Sequence, residues 1–172
     1  MMIIRIRNAL AFILLIFFLS NTAGCISLQS TPPDKEKMEE YFTQDKDDLI
    51  IIADYLISLD YPSVWINKSR VKNGIMFTGA ATREKKIEDK TVLESLKRIL
   101  NDKNYIRLGK DEDTIFFEKW NYIEKVRGFA FPINNEDSPC VEYLAKSEPL
   151  SENGWYYYES DYEKVRNQRI TQ

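Results

Sequence analysis

A chain of 172 residues with no histidine and two cysteines, Cys25 and Cys140, carries few groups suited to conventional catalysis. Histidine is the side chain that titrates near neutral pH and the commonest metal ligand. Without it, Cys/His zinc sites and Ser-His-Asp or Cys-His catalysis are excluded. Acidic side chains are plentiful, at 27. Two of them suffice for glycoside hydrolysis, but their separation in space is not written in the sequence. The acidic runs Asp111-Glu112-Asp113 and Asn134-Asn135-Glu136-Asp137 offer hard oxygen ligands. Neither follows a calcium loop, because the next alternate position after Asp111 and Asp113 is Ile115 and no glycine follows. All six glycines are isolated, so no phosphate-cradling loop is present. This inventory implies no metal and no cofactor.

Ser69-Arg70-Val71-Lys72 has the S-x-x-K spacing in which a lysine activates a serine, and so resembles one motif of serine β-lactamases and penicillin-binding proteins. The resemblance ends there: Lys90-Thr91 is followed by Val92 rather than glycine, and no Ser-Asp-Asn occurs. The densest chemical cluster is aromatic, Trp155-Tyr156-Tyr157-Tyr158. On a strand, Trp155 and Tyr157 face one side and Tyr156 and Tyr158 the other. One pair fills a core, and both pairs do so only if both faces are covered. Trp120 and Tyr122 lie at and just past the end of another expected strand and extend the aromatic surface. Two readings stand. Strands favour aromatics and a small core needs bulk. Alternatively, Trp120, Tyr122, Trp155, Tyr156, Tyr157 and Tyr158 include a contact face for protein, peptide or sugar, which amphipathic rings suit.

The N-terminus carries an address. Arg5 and Arg7 precede eleven uninterrupted apolar residues, 9–19, and residues 20–24 turn small and polar before Cys25. Eleven residues rise about 16 Å as a helix against roughly 30 Å of hydrocarbon. A cleaved signal peptide over residues 1–24 therefore fits better than a permanent span. Thr22-Ala23-Gly24-Cys25 resembles the lipobox of bacterial lipoproteins, departing from it at Thr22, where a leucine-like residue is common. The resemblance implies that Cys25 is lipidated, becomes the new N-terminus and anchors the chain to the extracytoplasmic side of the cell membrane. Without residues 1–24, which hold two arginines and no acids, 22 basic residues face 27 acidic ones, a net charge of −5. That is a poor match for nucleic acid or an anionic bilayer, so the expected membrane contact is the lipid itself. With Cys25 modified, Cys140 has no intrachain partner and reads as a small, half-buried residue.

The remaining chain supplies the scaffold. Residues 25–33 form a short, lipid-anchored tether ending in Pro32-Pro33, and residues 34–172 form one domain. Met38, Phe42, Leu49, Ile52, Leu56 and Leu59 predict a helix over residues 34–59, interrupted at Asp45 in a way that suggests greater exposure before it. Residues 63–67 and 75–78 read as a hairpin around Asn73-Gly74. Residues 83–86 read as a solvated loop or helix approach, and residues 88–100 as a second helix capped by Thr91 with Glu94. Strands are expected at 105–108, 114–120, 127–133, 141–146 and 155–158, with a turn over 109–113. Ser160 with Glu163 suggests a cap for a short final helix. The order predicts an α+β fold: a single antiparallel sheet with two main helices packed against it and a short C-terminal helix. The expected function is that of an extracytoplasmic, membrane-anchored binding module for an envelope protein or glycan. The alternative is a carboxylate-based hydrolase of envelope glycan.

Overall fold

The computed structural model describes residues 32–79, 83–134, 139–141 and 144–163. The expected signal peptide, Cys25, most of the tether and the chain beyond residue 163 lie outside them.

Helix α1 (Lys35–Ser58) opens at Asp34, whose carboxylate accepts from the Lys37 amide at 2.9 Å and satisfies one orphan donor of the first turn. Met38, Phe42, Leu49, Ile52 and Leu56 form its buried stripe. Asp45 interrupts that stripe in sequence but is itself buried; the helix before it, with Glu36, Lys37, Glu40, Thr43 and Gln44 exposed, is the more exposed part, as expected. Lysines 103 and 119 hold ammonium groups 3.2 and 3.5 Å from the two oxygens of Asp45, which is the pairing a buried charge requires.

Strands β1 (Ser63–Asn67) and β2 (Ile75–Thr78) pair antiparallel with Trp65 opposite Phe77. Their connection holds a one-turn helix, α2 (Lys68–Val71), and Gly74 at φ +64°, a left-handed position suited to glycine. Residues 83–86 are not a loop. They form β3 (Arg83–Lys86), which pairs with β2 along the sheet's edge with all four residues exposed. Charge conceals this strand from pattern reading, and on an edge it discourages the addition of another strand. Helix α3 (Lys90–Lys97) is capped by Asp89, which accepts from the Val92 amide at 3.1 Å, rather than by Thr91. It continues into a π-helical turn, Arg98–Asp102.

Strands β4 (Arg107–Asp111), β5 (Thr114–Tyr122) and β6 (Lys125–Pro132) form a meander, and β7 (Leu144–Pro149) and β8 (Tyr156–Asp161) a hairpin. Several boundaries differ from expectation. Gly109, Lys110 and Asp111 belong to β4, and the turn is Glu112-Asp113 alone. Glycine is the residue that fits this strand position, because a β carbon there would sit 2.0 Å from the Val64 carbonyl oxygen. Ser160 lies within β8, paired with Val126, and is no helix cap. Pro132 ends β6 beyond the last β6–β8 pair, Ala130 with Tyr156, so its missing N–H removes no bond to β8.

The eight strands make one antiparallel sheet in the order β3-β2-β1-β4-β5-β6-β8-β7. Helices α1 and α3 pack on one face, with Ile66, Leu108, Phe117, Phe129 and Tyr157 of the sheet in the same core. The architecture is α+β. Among the described residues no helix is long and apolar enough to cross a membrane.

Candidate functional site

Strand alternation assigns the expected aromatics to opposite faces. Trp155 and Tyr157 belong to the core beneath the helices. Trp155 packs within 5.1 to 5.7 Å, centroid to centroid, of Phe42, Phe131 and Phe117. Tyr158 points the other way, into a second cluster with Phe116, Val126 and Ala130. It is nonetheless buried, because Val141, Leu144 and Tyr162 pack over that cluster. Trp120 is also buried, in ring contact with Tyr122 at 6.2 Å. Of the six candidates only Tyr122 is exposed, and Tyr156 is half-buried. The aromatic run is therefore divided between two packed clusters and does not present one open face.

The face opposite α1 and α3 carries a different aromatic strip, contributed by strands distant in sequence. Phe77 and Trp65 are cross-strand neighbours, and Trp65 lies 4.6 Å from the Phe116 ring. Both Phe77 and Trp65 are half-buried. Arg70 of α2 lies 4.3 Å over the Phe77 ring and pairs with Glu84 at 2.6 Å. Arg107 lies 4.7 Å over Trp65, an arrangement in which the guanidinium is attracted to the ring's negative face. Two glycines make room: a β carbon on Gly109 would lie 3.1 Å from Phe116, and one on Gly128 would lie 2.9 Å from Tyr158.

At the centre of this face Arg107 and Glu118 stand opposite each other on β4 and β5 and form an ion pair through Nε and Oε1. Arg107 Nη2 also donates to the Tyr162 hydroxyl at 3.0 Å. Glu118 is 3% exposed, and its Oε2 has no hydrogen-bond partner. Burial pushes the Glu118 carboxyl above the usual carboxylate range, against the pull of Arg107. Burial also raises the Tyr158 hydroxyl, with the Glu118 charge adding to the effect. These groups line a hollow of about 20 Å³ together with Asp111, Cys140, Val141 and Ser160. The volume suits about one water. Asp111, the other acid at the hollow, is four residues from the Glu118 partner position along β4, about 13 Å of strand. Neither dimension favours a hydrolytic pair around a sugar ring. Cys140 is exposed rather than half-buried, and its amide donates to Thr114 Oγ1 at 2.9 Å.

The S-x-x-K serine does other work. Ser69 Oγ donates to Asn67 Oδ1 at 2.8 Å, in the exposed connection between β1 and β2. No local signal marks Trp65, Phe77, Arg107, Phe116 or Glu118 as one site, since only strand register brings them together. No family model, curated protein or solved structure matches the chain.

Proposed function

We propose that the protein is an extracytoplasmic lipoprotein, anchored through lipidated Cys25, whose domain binds an envelope protein or glycan on the face of its sheet opposite α1 and α3. The observation that supports this most is the half-buried strip of Phe77 and Trp65, flanked by Arg70 and Arg107 and ending at the Glu118 hollow. Aromatic rings and arginines are enriched where proteins make contacts. The anchor is supported by the signal and lipobox-like residues preceding Cys25.

Site-resolved photo-cross-linking in intact cells tests the face. A benzophenone amino acid at Trp65 is expected to give one discrete adduct, absent when the probe replaces exposed Asp54 on α1. The same pattern from both positions, or none from Trp65, contradicts the assignment. Metabolic labelling with an alkyne fatty acid tests the anchor: the label is expected on wild type and absent from Cys25→Ala, and equal label in both refutes it.

A further inference from the structure

The β5–β6 hairpin turns on two residues, Ile123 and Glu124, since Tyr122 pairs with Lys125. Both turn residues are left-handed, at φ 40° and 64°. A turn of this kind ordinarily takes asparagine or glycine, and a β-branched residue at positive φ is a strained outlier. Ile123 is nevertheless 71% exposed, far more than any other large apolar residue of the described chain, and adjacent Tyr122 is 43% exposed. Isoleucine there neither relaxes the turn nor fills the core. An apolar surface outside the domain would give it the burial that the domain does not.

The same end of the domain receives the N-terminal chain. Arg127 donates to the Pro33 carbonyl through Nη1 and holds Glu159 at 3.3 Å through Nη2. Pro32, Trp120, Lys125 and Arg127 line a common hollow of about 160 Å³. Cys25 precedes Pro32 by seven residues, at most about 25 Å of extended chain. The opposite end of β5, eight residues from Tyr122, is about 27 Å farther. A lipid on Cys25 thus keeps the bilayer near the Tyr122–Lys125 end. That end exposes residues of an interfacial belt: Tyr122, the apolar tip Ile123 and the cation Lys125. Acids are present as well, at Glu124, Glu159 and Asp161, so the match is to the apolar and aromatic layer and not to anionic charge.

We infer that the Tyr122–Ile123 tip inserts into the interfacial layer of the bilayer that carries the Cys25 anchor and fixes how the domain stands on it. The inference rests on the lipoprotein reading above. The test uses the full-length chain in phosphatidylethanolamine–phosphatidylglycerol vesicles, in a Cys140→Ser background. An environment-sensitive fluorophore is placed on Asn121→Cys beside the tip or, as control, on Asp113→Cys at the far end of β5. The label at 121 is expected to be blue-shifted and quenched several-fold more by headgroup-spin-labelled lipid than the label at 113, and Ile123→Asn is expected to abolish the difference. Equal quenching at the two positions overturns the proposal. Asparagine accepts a left-handed φ, so Ile123→Asn is expected to keep or raise the urea midpoint; a lowered midpoint would show that Ile123 serves the fold and also overturn it. Intact mass separates the two readings. If Cys25 carries no lipid, the anchor fails on its own account; quenching at 121 on added vesicles then still supports the tip, and its absence overturns it.

Discussion

The two faces of the sheet bury one carboxylate each and treat it differently. Under the helices, Asp45 has a lysine ammonium within 3.5 Å of each oxygen, although its Oδ1 makes no hydrogen bond, and Lys119 in turn lies over the Tyr41 and Tyr105 rings at 4.6 and 4.2 Å. On the face opposite α1 and α3 Glu118 has a cation, Arg107, on one oxygen only, and its Oε2 is likewise without a hydrogen-bond partner. Aromatics repeat the contrast. Trp155 is enclosed by three phenylalanines, whereas Trp65 has Phe116 on one side and is half-buried. Strand alternation generates both faces from the same residue types, and the two differ in how many cations pair with the buried carboxylate and in how fully the tryptophan is enclosed.

The contrast can be broken by substitution. The largest effect is expected from Trp155→Ala, which empties the centre of the covered core and should cost about 3–5 kcal/mol in chemical denaturation. A loss below about 1 kcal/mol would show that the two tryptophans are equivalent. Gly109→Ala comes next: its β carbon cannot be placed without moving Val64 or Phe116, and a loss of about 2–3 kcal/mol is expected in the same assay. The Glu118 carboxyl gives a pH signature. Its folded pKa is raised, so between the ordinary carboxylate pKa and the raised value the folded chain holds a proton that the unfolded chain has released. Its contribution to stability is therefore present in acid and lost as pH rises through the folded pKa. The stability of wild type relative to Glu118→Gln is expected to fall as pH rises from the ordinary carboxylate pKa through the raised folded one, and a flat difference would refute the shift. The smallest stability effect belongs to Trp65→Ala, within about 1 kcal/mol, paired with loss of any cross-link captured at a neighbouring probe on Phe77.

The sequence conveyed the fold wherever periodicity was strong. Met38, Phe42, Leu49, Ile52 and Leu56 place α1 to within a residue at each end. Asn73-Gly74 locates its turn. Local pattern failed where a neighbour in space decides the outcome. Gly109 reads as a turn and is a strand residue, at a position that glycine fits because another strand and the Phe116 ring lie against it. Arg83–Lys86 reads as loop because its charge, an asset on an edge, carries no alternation. The site was the least legible part. Trp155 and Tyr158 could be assigned to opposite sides, but which side the helices cover depends on the whole sheet. Trp65, Arg107 and Phe116 meet only through the β1–β4–β5 register.

The strand order also governs how the chain folds. Reading across the sheet, β1–β2–β3, β4–β5–β6 and β7–β8 are each joined by contacts between consecutive strands, and only the β1–β4 and β6–β8 ladders connect strands out of sequence. Each of the three groups can close through short loops with little entropy to overcome, whereas the two joining ladders must first bring distant segments together. The central meander contributes to both joins, so folding is expected to proceed outward from β4–β6, with the docking of two preformed hairpin units as the slow events.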